Sequence, residues 1–320
     1  MNSHRPLLAC VFTLTLSLFS PTGFAQKERP GADATLAYGE TLPGAETHTY
    51  KEIGGVKLKL HAFLPPGHKV TDRRPAIVFF FGGGWASGAP KQFQQQSRYL
   101  AAKGMVAICA DYRVSSRHQV KVVECVADAK SAVRWVRANA GHLGIDPHRI
   151  AAGGGSAGGH LAACTGVLAE RDEAGEDNAV SSVPDAMVLF NPALVLAPLD
   201  GVAKEEELSK LADRMGTDPK NLSPVHQVRA GAPPTVIFHG TSDTTVSFAT
   251  AQAFTDAMKK AGNRCDLVGT EGAVHGFFNF GRGDGKAFVS TLQGTHRFLA
   301  SLGWIDGEPT VVAFFKDSSK

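Results

Sequence analysis

Several things are scarce in this 320-residue chain, and each absence removes a class of protein. Cysteine occurs five times, and no His or Cys spacing frames a metal site. No apolar stretch reaches the roughly 20 residues that span a bilayer; Leu7–Phe19 covers only 13. Lys and Arg form no long run, and 33 basic against 30 acidic side chains leave a net charge of +3. Neither nucleic acid nor an anionic membrane is indicated as a partner. No internal repeat is visible, and no Pro- or Gly-rich linker divides the chain.

What is present begins with the N-terminus. His4 and Arg5 precede the short apolar stretch, and Gly23-Phe24-Ala25 offers small residues where a signal peptidase reads. Residues 1–25 read as a signal peptide cleaved after Ala25, which makes the protein secreted or periplasmic. A polar leader, 26–46, follows, and then one domain, 47–320. Four cysteines remain after cleavage: Cys109, Cys125, Cys164 and Cys265. An even number in an exported chain permits disulfides. Their positions, in apparent strands and a helix, equally suit small buried thiols.

Beyond residue 46 the pattern alternates. Two strand-like runs meet at Gly54-Gly55 as a hairpin, and Ala76–Phe81 is a continuous apolar run suited to a strand buried on both faces. Repeated strand-then-helix units follow, among them a long amphipathic helix, Val122–Asn139, a short strand, Ile150–Ala152, and a helix, Ser156–Leu168. A hairpin followed by such units predicts an α/β fold with a mainly parallel central sheet flanked by helices on both faces. One interval, 191–234, breaks the alternation. It contains a polar helix, Lys204–Met215, and reads as a small cap insertion.

The chemistry concentrates at Gly154-Gly155-Ser156-Ala157-Gly158, a G-x-S-x-G motif between a strand and a helix. That context suits a nucleophile elbow: the turn is too tight for side chains at the flanking positions, and Ser156 is thrust up at a helix N-terminus. Phe81-Gly82-Gly83-Gly84-Trp85 follows a buried strand. The N–H groups of Gly83 and Gly84, with that of Ala157, are candidate oxyanion donors. Asp243 sits just past a strand end and His275 in the loop after the last strand. The order Ser156, Asp243, His275 is that of α/β-hydrolase triads. The glycines 153–158 also fit G-x-G-x-x-G, with Asp172 about where a ribose-binding acid would fall. That rival reading, a dinucleotide-binding oxidoreductase, leaves Gly82–Gly84, Asp243 and His275 unexplained. His160, one turn below Ser156, is a poor base candidate, and His239 and Asp111 read as structural groups at strand ends.

These residues resemble the α/β-hydrolase carboxylesterases and acetyl esterases related to hormone-sensitive-lipase-like enzymes. The resemblance runs from about Tyr50 to Leu302. It rests on Ala110-Asp111-Tyr112-Arg113, Gly144-Ile145-Asp146-Pro147, Gly154–His160, His239–Asp243 and His275-Gly276-Phe277. It implies a serine esterase acting on small-molecule or carbohydrate esters of short acyl groups, without a cofactor. A serine peptidase of prolyl-oligopeptidase type shares fold and triad order, but usually with a large extra domain. One departure stands out: the family's His before the three glycines is Phe81 here. That leaves the loop to be held by packing against apolar neighbours such as Trp85.

Overall fold

The computed structural model describes residues 41–317, together with Met1. The expected signal peptide and all but the last six residues of the expected leader lie outside the described residues.

In chain order, β1 (Glu46–Ile53) and β2 (Val56–Phe63) form the hairpin. Then come β3 (Arg74–Phe80), a 3₁₀ turn (Pro90–Phe93), α1 (Gln94–Ala102), β4 (Val106–Ala110), α2 (Ser115–His118) and α3 (Val122–Ala138). Next are β5 (Ile145–Gly155), α4 (Ala157–Val167), β6 (Ala186–Phe190), α5 (Glu205–Met215) and two 3₁₀ turns, Pro219–Leu222 and Pro224–Gln227. The chain ends with β7 (Thr235–Gly240), α6 (Phe248–Lys260), β8 (Cys265–Thr270), α7 (Lys286–Ser301) and α8 (Val311–Asp317).

The strands form one eight-stranded sheet in the order β1-β2-β4-β3-β5-β6-β7-β8. The hairpin pairs antiparallel with itself and with β4; every other pairing is parallel. Alternate residues of β3 serve two cores. Ala76, Val78 and Phe80 join the cluster under α3, α4 and α6, while Ile77 and Phe79 join the one under α1, α7 and α8. Such double burial explains why β3 reads as an unbroken apolar run.

Strand β5 runs from Ile145, well before the expected Ile150, because its start pairs with Arg74 of β3. Its three terminal glycines weaken strand propensity, but the sheet centre demands them. A Cβ on Gly153 would lie 2.7 Å from the Phe79 ring. The two short helices α2 and α8 were not foreseen from the sequence. The insertion is less polar than expected: Leu194, Leu196, Met215 and Leu222 are buried in the main core cluster. All four described cysteines are buried free thiols, and burial pushes Cys109 up to about 12 and Cys265 up to about 11. Among the described residues no helix is long and apolar enough to cross a membrane.

Candidate active site

The topology itself makes the crevice. From β3 the chain moves to β4 on one side; from β5 it moves to β6 on the other. Loops leaving the carboxyl ends of adjacent β3 and β5 therefore part, which is where parallel sheets place ligands. Phe80 pairs with Gly154 in that register, so Gly82 and Ser156, each two residues further on, meet above the sheet. A Cβ on Gly82 would lie 3.4 Å from the Ser156 Cβ.

Ser156 occupies the turn between β5 and α4 with φ 54° and ψ −118°, a conformation that costs a side-chain-bearing residue energy. Its surroundings hold it there. The Ser156 N–H donates to the Phe190 carbonyl at 2.9 Å, and its carbonyl accepts from the His160 amide at 2.9 Å. Neighbouring positions have no room for side chains. The place of a Gly155 Cβ is filled by the Phe278 ring, that of Gly154 by the Gly158 backbone, and that of Gly158 by the Phe80 carbonyl.

Asp243 and His275 come from the loops after β7 and β8, which pair up to Gly240 and Thr270. Gly240 is needed because the Ala273 carbonyl crosses directly over it, bringing the β8 loop back toward the sheet centre. His275 Nε2 then lies 3.0 Å from Ser156 Oγ, and His275 Nδ1 lies 2.7 Å from Asp243 Oδ2. Asp243 Oδ1 accepts from the amides of Thr245 and Val246, both at 2.9 Å. Buried His239 donates Nε2–H to the Val246 carbonyl at 2.8 Å and stands 3.4 Å from Asp243 Oδ2. Burial alone would raise the Asp243 pKa. Hydrogen bonds from His239, His275 and the Val246 amide outweigh it and hold the carboxyl well below the usual carboxylate range. An ionised Asp243 fixes the proton of His275 on Nδ1 and leaves Nε2 free to accept from the Ser156 hydroxyl.

The glycine loop forms the opposite wall. The Gly82 N–H donates to Gln92 Oε1 at 2.6 Å. The Gly83 carbonyl accepts from the amides of Ala86 and Ser87, each at 3.1 Å. Gly83 has φ 126° and its Cβ would strike the Ser87 carbonyl, so this sharp bend admits only glycine. The Gly84 carbonyl accepts from Arg214 of the insertion, whose guanidinium also lies 5.5 Å from the Trp85 ring centre.

Comparison with known proteins places the chain in a family. The family model described as BD-FAE matches residues 60–258. This chain belongs to the BD-FAE family. It is an α/β-hydrolase of the carboxylesterase group. Esterase 2 of Thermogutta terrifontis, in the form phosphonylated by sarin, is 54% identical with a TM-score of 0.82, over 85% of this chain and 100% of that one. Its propionate-bound form is 54% identical with a TM-score of 0.81, over 86% and 100%. Carboxylesterase NlhH of Mycobacterium tuberculosis is 28% identical over 324 residues, 93% of this chain and 96% of the relative. Esterase LipC of the same organism is 29% identical over 220 residues, 65% of this chain and 54% of the relative. The chain spans about half the length of LipC.

Within this BD-FAE chain, Ser156, Asp243 and His275 come together as one hydrogen-bonded relay. Gly83 and Gly84 follow Gly82 in the loop beside Ser156, and Ala157 opens α4 directly after it. Asp172 does not face the glycine turn: it pairs with Lys130 at 2.7 Å and with Arg134, which removes the acid that the dinucleotide reading needs. His160 is fully buried; it accepts from Trp85 Nε1–H at 3.1 Å and donates to the Leu222 carbonyl at 2.8 Å. Phe81 is held by packing, as expected, with Tyr112 as its stacking partner. The ring centres lie 4.1 Å apart, and the Tyr112 hydroxyl donates to the Phe81 carbonyl at 2.8 Å. Trp85 instead turns edge-on to His160. Sequence reasoning missed Gln92, Asn279, Tyr112 and Arg214 as site supports. Only Tyr112 carried a signal, as part of the Asp111-Tyr112-Arg113 match.

Proposed function

We propose that this protein hydrolyses carboxylic esters of short acyl groups by an acyl-enzyme mechanism, with Ser156 as nucleophile. The observation that carries the reading is the relay of 3.0 Å and 2.7 Å from Ser156 through His275 to Asp243. His275 Nε2 takes the Ser156 proton as Oγ attacks the ester carbonyl. The oxyanion is received by the amides of Gly83, Gly84 and Ala157, the Gly82 amide being committed to Gln92. The tetrahedral intermediate collapses, and the leaving alkoxide takes the proton from His275. Water, deprotonated by His275, then attacks the acyl-enzyme and releases the acid and free Ser156. Asp243 stays ionised throughout and steadies the imidazolium.

Short acyl groups are favoured for two reasons. Esterase 2 of Thermogutta terrifontis, similar to this chain along nearly all its described length, has been solved with propionate bound and with butyrate bound. The insertion also turns its apolar side chains Leu194, Leu196, Met215 and Leu222 into the core, which leaves less to cover a long chain. Export past the cytoplasmic membrane, read from residues 1–25, points to an extracellular or envelope ester, such as acyl groups on a carbohydrate. A panel of acetyl, butyryl, decanoyl and feruloyl esters, with a matching anilide, tests the reading. The account expects kcat/KM to be highest for acetyl or butyryl esters and negligible for the anilide. A decanoyl ester preferred over acetyl would overturn the acyl-length assignment, and a preferred anilide would make the protein a peptidase. N-terminal sequencing of exported protein should start at Gln26.

A further inference from the structure

The glycine loop lacks the histidine that its resemblance led one to expect, and the structure carries a different brace in its place. The chain of bonds starts at Gly82, whose N–H donates to Gln92 Oε1 at 2.6 Å. Gln92 Nε2 donates to Asn279 Oδ1 at 2.9 Å. Asn279 Nδ2 donates to the Gly276 carbonyl at 2.9 Å. The Gly276 amide donates in turn to Asn191 Oδ1 at 3.0 Å. Gly82 opens the oxyanion loop, Gly276 follows the base His275, and Asn191 follows the end of β6 beside the elbow. One hydrogen-bond path thus ties three segments of the site that no strand pairing joins.

Its direction is fixed at both ends. A backbone N–H at Gly82 can meet only the oxygen of Gln92, which turns the Gln92 NH₂ toward Asn279. That NH₂ requires the Asn279 oxygen, which leaves the Asn279 NH₂ for the Gly276 carbonyl. From Gly82 to the Gly276 carbonyl, each bond pairs a donor with an acceptor in one arrangement only. Directly beside it runs an apolar joint: Phe93, next to Gln92, stacks on Phe278, next to Asn279, with ring centres 5.7 Å apart. Phe278 also fills the space beside Gly155, so the elbow, the oxyanion loop and the histidine loop are packed through the same two residue pairs.

Resting on the reading of Ser156 as nucleophile, we propose that Gln92 and Asn279 are positioning residues that set the oxyanion loop relative to the His275 loop. Neither side chain forms part of the Ser156–His275–Asp243 relay. Their effect falls on the transition state, because a displaced amide loses its bond to the developing oxyanion while ground-state binding persists. The experiment uses the whole exported protein with an acetyl or butyryl ester and compares Gln92→Ala, Asn279→Ala, the double variant and Gln92→Glu. Each Ala variant should lower kcat by about 10- to 10²-fold with KM changed less than about threefold. The double variant should fall within about threefold of the worse single one, as for two members of one path. Gln92→Glu should be as impaired as Gln92→Ala, because a carboxylate accepts from Gly82 but opposes the Asn279 oxygen. Gln92→Met, of similar volume, serves if an Ala variant fails to fold. The proposal is overturned if Gln92→Ala or Gln92→Met keeps more than half of kcat, if Gln92→Glu restores activity, or if the two single losses multiply. Failure of the underlying reading looks different: Ser156→Ala would then retain activity while the Gln92 results stand unrelated to it.

Discussion

The two walls of the site are held in opposite ways. On the base side the groups proposed to do the chemistry hold one another: Asp243 bonds His275, and His275 meets Ser156 directly. On the glycine side the proposed donors are backbone amides, and what holds their loop is a set of side chains outside the relay. Tyr112 sits under Phe81, Gln92 ties Gly82, Arg214 ties Gly84, and His160 ties Trp85. Function leaves little freedom in the first wall, since a proton relay accepts few residue types. The second wall can be braced by many side chains, provided each polar group finds a partner.

That contrast is broken most sharply at its two histidines. His275→Ala should lower kcat by about 10⁴-fold or more, with little change in melting temperature. His160→Ala should do the reverse, because it leaves the buried Trp85 N–H unpaired and takes the ring donor from the Leu222 carbonyl. A loss of about 1–3 kcal/mol in stability is expected, with kcat within about tenfold of wild type. Steady-state kinetics and urea denaturation of both variants check this, and reversed effects would mean that the base has been misassigned. Asp243→Asn should cost about 10⁴-fold in kcat through the wrong tautomer of His275.

A smaller effect belongs to the insertion. Arg214→Ala frees the Gly84 carbonyl and uncovers the Trp85 ring, and should lower kcat about 3- to 10-fold, well under the 10²–10³ of a lost oxyanion donor. An unchanged kcat would show that α5 merely lies against the loop.

Acid sensitivity tests the same wall. Burial lowers the His160 pKa to about 4, with the bond to the Leu222 carbonyl opposing the shift. A depressed imidazole pKa means that the unfolded chain binds the proton more readily than the folded one. Its contribution to stability is therefore complete above the unfolded value of about 6.5 and is lost as pH falls toward 4, at up to about 1.4 kcal/mol per pH unit. Urea midpoints should fall over that window, and less steeply in His160→Gln. Smallest of all, Phe81→His should change kcat by less than about tenfold, since Tyr112 already holds that carbonyl from below. A gain or loss of 10² would show that position 81 sets the donors directly.

Much of the fold was legible because burial on both faces forces continuous apolar strands, as in β3 and β4, and because helices repeat with their own period. That Ser156, Asp243 and His275 would meet was legible for a chemical reason: a serine relay needs those residue types, each standing past a strand end. Strand β5 was read too short at both ends: its start pairs with Arg74 across the sheet, and Gly153, the first of its final glycines, packs against the Phe79 ring, neither of which a local pattern encodes. For Phe81 the sequence suggested packing on apolar neighbours such as Trp85, near in the chain. Its real partner, Tyr112, lies across the β3–β4 pairing, which no local pattern encodes. Gln92 and Asn279 are 187 positions apart, and either could have been a surface amide until the fold joined them.

The central claim is that Ser156 is the reacting atom's carrier. A fluorophosphonate reacts with an activated serine to form a stable covalent adduct, and peptide mass mapping of the labelled protein locates it. The account predicts one adduct, on Ser156, formed in step with complete loss of esterase activity and absent from His275→Ala over the same period. An adduct on another residue, or full inactivation with Ser156 unmodified, would contradict it.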